Sequence, residues 1–276
     1  MSFGQFEGFF LDTCVLLPHP LESMMKACSD FLKEAASQCI ISSSVKTEAL
    51  ELIEHSHNVI VSFIHDPLKS YLKSKGIKEL GNRDGKIIAD FFSEQKAQLG
   101  KLHYKRSNIQ NEILGAVENY VASQLHSLKD GKKLPIGIFL PVLAAELAIV
   151  KHNMEAPFKG GIRCEEIEPN DSVVSAVVIG AIMGNEKDAL HLASALQYQF
   201  RRNKWVIFVT TDQKDILNRE IELREIFLQC SRPEWALDYQ RETTKNKAPI
   251  EHVQDIKSYT AKQNRILDAM KKAVTT

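Results

Sequence analysis

Two short apolar runs in this chain end in aspartate. Phe9-Phe10-Leu11 stops at Asp12, and Ile207-Phe208-Val209 leads through Thr210-Thr211 to Asp212. In an open parallel sheet the carboxyl ends of all strands lie along one edge, and ligands gather there where the strand order reverses. If these two strands are neighbours at that point, Asp12 and Asp212 face one another. Glu48 lies in the first turns of a helix after a second strand, and Asp188 opens the helix leading into the last strand. Helix starts after strands point at the same edge, so four carboxylates can converge. Each also has an ordinary role open to it: Asp12 as a turn residue, Asp212 as an Asx turn or cap, Asp188 as an N-cap. Glu48 has a rival one turn later in Glu51. Asp215 reads as a helix cap in preference to a spare ligand. His191, at i, i+3 from Asp188, reads as a structural histidine on a half-buried helix.

Carboxylates held a few ångströms apart repel one another unless they are protonated or neutralised by cations. A hard divalent ion, Mg²⁺ or Mn²⁺, takes oxygen ligands and completes its shell with water and substrate phosphates. Such a site suits in-line displacement at a phosphodiester. Relief of the same repulsion leads to the expectation that Asp12→Asn leaves the fold intact or slightly more stable. Other chemistries lack their residues. A phosphotransferase with an aspartate nucleophile needs a second acid two positions on, where this chain has Cys14. No GxxxxGK[ST], no GxGxxG after a strand and no GxSxG elbow occurs.

The elements that must position these groups follow from periodicity. Phe9–Leu11 and Cys39–Ile41 read as buried strands, with an amphipathic helix over 21–36 between them and another from about Val45. Strand, helix, strand, helix opens a parallel α/β sheet. From about His65 to Met154 the pattern is helical, as in Ile109, Ile113, Val117, Tyr120, Val121 and Leu125. Lysines and arginines cluster there: Lys69, Lys73, Lys75 and Lys78, then Lys96, Lys101, Lys105 and Arg106. A solvated helical face accounts for them, and phosphate contact is the competing account. Apolar helices are expected over 173–183 and 188–201, a strand over Trp205–Val209, and a helix from near Asp215. The expected organisation is an α/β domain from 1–60 and 160–235, a helical insertion over 61–159, and a polar, partly helical tail over 236–276.

The chain has 276 residues, 44% hydrophobic and 25% charged, the proportions of a globular protein. Lys+Arg 35 offsets Asp+Glu 35, so any attraction to a polyanion must be local. Five scattered cysteines without a CxxC pair point away from a disulfide framework and towards a reducing, cytoplasmic setting. No secretory leader is read at the N-terminus. The longest apolar stretch, Leu134–Val150, is interrupted by two prolines and Glu146, so no membrane span is expected.

In this order the acidic segments resemble the motifs of PIN-domain nucleases. Phe9-Phe10-Leu11-Asp12-Thr13-Cys14-Val15-Leu16 resembles their opening strand motif, and Ser44-Val45-Lys46-Thr47-Glu48-Ala49-Leu50 the helix bearing the second acid. Lys187-Asp188-Ala189-Leu190-His191-Leu192-Ala193-Ser194-Ala195 is similar to the third motif, and Val209-Thr210-Thr211-Asp212 to the fourth. The resemblance covers about residues 6–57 and 165–230. It implies a PIN-like, Rossmann-like parallel sheet flanked by helices, with a mainly helical insertion outside the family pattern. It further implies Mg²⁺- or Mn²⁺-dependent endoribonuclease activity on single-stranded or structured RNA. Asp12, Glu48, Asp188 and Asp212 would be the metal ligands, Thr210 would position a ligand or water, and Asp215 would be an auxiliary acid. Cys14 stands where the family usually has a small polar residue, so one contact in the metal shell is missing or replaced by a weaker one. The alternative is a PIN-like RNA-binding or scaffold module with weak or lost catalysis. A homodimer, or a protein partner or inhibitor, is compatible with the resemblance.

Overall fold

The computed structural model describes residues 6–17, 22–101, 107–128, 131–167, 180, 185–202, 205–219, 222–223 and 250–252. The chain divides into two compact units: Met1–Ala49 with Gly160–Thr276, and Leu50–Lys159.

The first unit is α/β. Its strands are β1 (Phe6–Leu11), β2 (Cys39–Ser42), β5 (Arg163–Glu165), β6 (Trp205–Thr210) and β7 (Ile250–His252). They form one sheet in the order β5-β2-β1-β6-β7, and every pairing is parallel. β1 is central. It pairs with β2 at Phe10↔Ile40 and with β6 at Leu11↔Val209. The order therefore reverses between β1 and β6, which is where a parallel sheet opens a crevice at its carboxyl edge.

Helices cover both faces. Successive side chains of a strand point to opposite sides. Phe9 meets Phe31 of α2 (Glu22–Ala35) edge-on, with ring centroids 5.2 Å apart. Phe10 turns the other way, 5.9 Å from Tyr198 of α7 (Glu186–Arg202). Double coverage explains why Phe9, Phe10 and Leu11 are all fully buried and why β1 reads as a continuous apolar run. On the α7 face, Leu192, Ala193 and Leu196 pack with Ile40, Val206 and Phe208. A four-residue helix, α1 (Thr13–Leu16), follows β1 directly, and α3 (Ser43–Ser74) follows β2.

The second unit is mainly helical. It holds the rest of α3, then α4 (Gly85–Lys101), α5 (Ser107–Ser127) and α6 (Ile136–Ala156), with a short antiparallel pair of β3 (Glu79–Leu80) and β4 (Leu134–Pro135). Ile60, Ile64, Leu68 and Leu72 recur along α3 at helical spacing and are fully buried. α5 buries the expected stripe of Ile109, Ile113, Val117, Val121 and Leu125 and packs against both α4 and α6. Tyr120 is half-buried at its margin.

Several expectations change. The prolines and Glu146 do not interrupt the stretch after Leu134: Pro141 sits inside a continuous α6. By length and composition, Ile136–Lys159 meets the requirement for a membrane span, and Ile138, Val142 and Ile149 are exposed on it. No helix starts at Asp215; hydrogen-bonded turns lead into a short 3₁₀ segment, Leu217–Arg219. The part of the tail at 250–252 is a strand on the edge of the main sheet. The helix expected over 173–183 (apart from residue 180) and the rest of the expected tail over 236–276 lie outside the described residues.

Gly8 is the tightest point of the sheet. A Cβ there would stand 2.1 Å from the Gln38 carbonyl oxygen, at φ +158°, beside a register shift between Phe6 and Gly8. Backbone cannot retreat as a side-chain tip can. Gly8→Ala is therefore expected to cost about 1–3 kcal/mol, seen as a lower denaturant midpoint with an unchanged slope.

Candidate metal centre

Asp12 leaves the sheet at its crevice. Its N–H still donates to the Val209 carbonyl at 3.0 Å, so the β1–β6 ladder fixes where its side chain begins. Asp12 then caps α1, with Oδ1 accepting from the Thr13 N–H at 2.7 Å. Oδ2 accepts from the Thr210 hydroxyl at 2.8 Å and from the Cys14 thiol at 2.9 Å. The Cys14 sulfur also accepts from the Thr211 N–H at 3.1 Å. Burial and the charge of Asp12 push the Cys14 thiol well up, so it remains a protonated donor. The thiol is thus a weak donor aimed at the carboxylate. Thr210 also acts on its neighbours: its hydroxyl accepts from the Asp212 N–H at 2.9 Å while donating to Asp12.

The fourth partner of Asp12 is His191, one turn along α7 from Asp188. His191 is 3% exposed, with Nδ1 3.2 Å from Asp12 Oδ1 and Nε2 3.5 Å from Glu48 Oε2. Carboxylates only accept, so an imidazole between two of them needs a proton on each nitrogen. Burial alone would lower its pKa, but Asp12, Glu48 and Asp188 outweigh burial and raise it above 6.5. In turn, burial drives the Asp12 pKa up, yet His191, Cys14 and Thr210 together hold it below the ordinary 3.8.

Glu48 reaches this cluster through its neighbours. Its Oε2 accepts from the Thr13 hydroxyl at 2.7 Å, and Lys187 Nζ stands 3.9 Å from Oε1. Asp188 is differently placed. Asn185 begins α7: its side-chain oxygen accepts from the Lys187 N–H and its carbonyl from the Ala189 N–H. Asp188 is therefore released from capping, and its carboxylate is held by the Asn185 amide. Burial first, then the charges of Asp12, Asp212 and Glu48, raise the Asp188 pKa to about 7, with His191 partly offsetting them. Asp212 does make the Asx bond open to it, Oδ1 accepting from the Asp215 N–H at 2.9 Å.

Two groups of ligand atoms each lie within 4.8 Å of one another: Asp12, Asp188 and His191, and Asp188, Asp212 and Asp215. Asp188 belongs to both. Of the four acids singled out by sequence, three meet around Asp188 in this way, and Glu48 joins through Thr13 and His191. Asp215 stands with the ligands as well as beside Lys214, 4.0 Å away. His191 is the residue that sequence reasoning passed over. Its i, i+3 spacing from Asp188 was the available signal, because that spacing puts both on one face of α7.

The donor set fits a divalent cation. Asp188 carries the uncompensated repulsion of the cluster, and its carboxylate lies within 4.8 Å of ligand atoms of Asp12 in one group and of Asp212 and Asp215 in the other. No family model, no curated protein and no solved structure matches the chain.

The two aspartates on either side of His191 should respond oppositely to neutralisation. Asp12 has a lowered pKa, so its charge stabilises the metal-free fold above pH 3.8 and that contribution is lost in acid. The expected relief of repulsion on Asp12→Asn is thereby reversed: removal of a buried partner of His191 costs about 2 kcal/mol or more. Asp188 has a raised pKa, so its stability is full below 3.8 and is lost as pH rises towards about 7. In chelator-treated protein at pH 8, thermal melts should fall for Asp12→Asn and rise by about 2–4 °C for Asp188→Asn. The gain for Asp188→Asn should shrink as pH approaches 4.

Proposed function

We propose that this chain is a PIN-like, Mg²⁺- or Mn²⁺-dependent endoribonuclease that hydrolyses RNA phosphodiester bonds. The observation that carries the proposal is the position of Asp188, shared by two groups of ligand atoms at the carboxyl edge of a parallel sheet. A bound divalent cation supplies an activated water and neutralises charge on the leaving oxygen of a phosphodiester. Asp12, Asp188 and Asp212 would hold it, with Asp215 and Glu48 at the margin.

The remaining groups position these ligands. Thr210 and Cys14 fix the Oδ2 side of Asp12, while Oδ1 accepts from the Thr13 N–H and faces His191. Thr13 orients Glu48. His191 places a positive charge between Asp12 and Glu48, so it stabilises the acids in the absence of a cation and must yield a nitrogen or a proton when one binds. Burial of Asp12, His191 and Thr210 lowers the local dielectric and strengthens every charge interaction around them.

His191 also favours the second reading. An imidazolium bound to Asp12 and Glu48 already neutralises part of the cluster, as in an RNA-binding module with weak or lost catalysis. Turnover separates the two. Cleavage of a mixed RNA pool should need Mg²⁺ or Mn²⁺ and should fall roughly 100-fold or more in Asp188→Asn and Asp212→Asn. Full activity in these variants would overturn the metal-site assignment, and no cleavage with either cation would favour the binding module.

A further inference from the structure

The second unit carries a concentrated positive surface at the β3–β4 end. α3 finishes at Ser74, and Gly76, in the left-handed region at φ 69°, turns the chain: its N–H donates to the Lys73 carbonyl and that of Ile77 to the Leu72 carbonyl. This turn carries Lys73 and Lys75 straight into Lys78 and β3. Across the antiparallel pair, Leu80 faces Leu134 and Glu79 faces Pro135, and the Ile136 N–H donates to the Lys78 carbonyl at 3.1 Å. Lys132 and Lys133 therefore arrive beside Gly81 and Asn82, at the far end of β3 from Lys78: the Lys132 carbonyl stands 3.8 Å from where a Cβ on Gly81 would be. All five lysines are exposed.

Local structure does not account for them. The negative end of the α3 dipole is a reason for Lys73 and Lys75, but it offers none for Lys78, Lys132 or Lys133. Arg83 and Lys86, also exposed, flank the first residue of α4, where a helix dipole opposes positive charge. Two acids stand nearby. Asp84 is occupied by the Gly81 N–H at 2.7 Å, and Glu79 is the one carboxylate among the described residues that approaches these lysines, 3.9 Å from Lys133. Lys75 lies over the Tyr71 ring, 5.5 Å from its centroid. Exposed ammonium groups on separate segments form no fork or pocket for a single small anion. They fit a chain of phosphates.

We infer that the β3–β4 end of the second unit binds the phosphate backbone of single-stranded RNA, through Lys78, Lys132 and Lys133 with support from Lys73 and Lys75. The choice of RNA over another polyanion rests on the proposed ribonuclease activity; the cationic surface does not. The affinity should be electrostatic and indifferent to sequence, with log K falling against log salt by about 0.7 per phosphate contacted.

The test is fluorescence anisotropy of a labelled 20-nucleotide RNA with the full chain in EDTA, where cleavage plays no part. A Lys78→Glu/Lys132→Glu/Lys133→Glu variant, with circular dichroism and a thermal melt matching wild type, should bind roughly tenfold or more weakly at 50 mM salt. Its salt slope should be shallower by about 2. The milder Lys→Gln triple variant should lie between the two, which covers a failure of the charge reversal to fold. Equal binding by wild type and variants overturns the inference. So does wild-type capture by phosphatidylglycerol vesicles, and not by phosphatidylcholine vesicles, with no RNA affinity. A chain that binds RNA with this salt dependence yet never cleaves it overturns the nuclease proposal alone.

Discussion

Everything at the carboxyl edge follows from placing β1 in the middle of a parallel sheet. Because β1 is covered on both faces and paired on both sides, Asp12 is almost wholly buried and takes its hydrogen bonds from protein groups. Thr13, Cys14, Thr210 and His191 supply them. The same confinement buries Asp188 beside the charges of Asp12 and Asp212, and its pKa rises. Burial works against both carboxylates; Asp12 is held ionised by His191, Cys14 and Thr210.

The imidazole of His191 decides how severe this crowding is. Without it, Asp12 and Glu48 would add their full charge to that of Asp188 and Asp212. With it, the cluster is partly neutralised and the remaining excess is concentrated on Asp188, the residue common to both groups of ligand atoms. A cation taken up by this cluster would compete with a proton already there, so any metal affinity would be linked to protonation.

Much of the architecture was legible because burial leaves a mark on residue type. β1 and β6 read as apolar runs bounded by polar residues, and α5 as a stripe at helical spacing, since each has a fixed set of covered positions. The acids were legible as strand ends and helix starts for the same reason. His191 was not, because a histidine on a half-buried helix has the same local sequence whether it fills the core or faces two carboxylates. The start expected at Asp215 failed because Asp212 and its neighbours close turns that tighten into 3₁₀ geometry.

By itself the sequence marked the buried strands β1, β2 and β6 and the main helices, the acids at their ends, and the concentration of lysines in the helical region, but not the short strands β3, β4, β5 and β7. Local periodicity and side-chain chemistry are properties of neighbouring residues, so they survive without a fold. Tertiary structure alone decided that β6 lies against β1, that Asp188 is shared while Glu48 is reached through Thr13 and His191, and that Lys132 and Lys133 return to the end of β3. These are contacts between distant parts of the chain. Their energies depend on separations of a few ångströms, which no spacing along the sequence encodes.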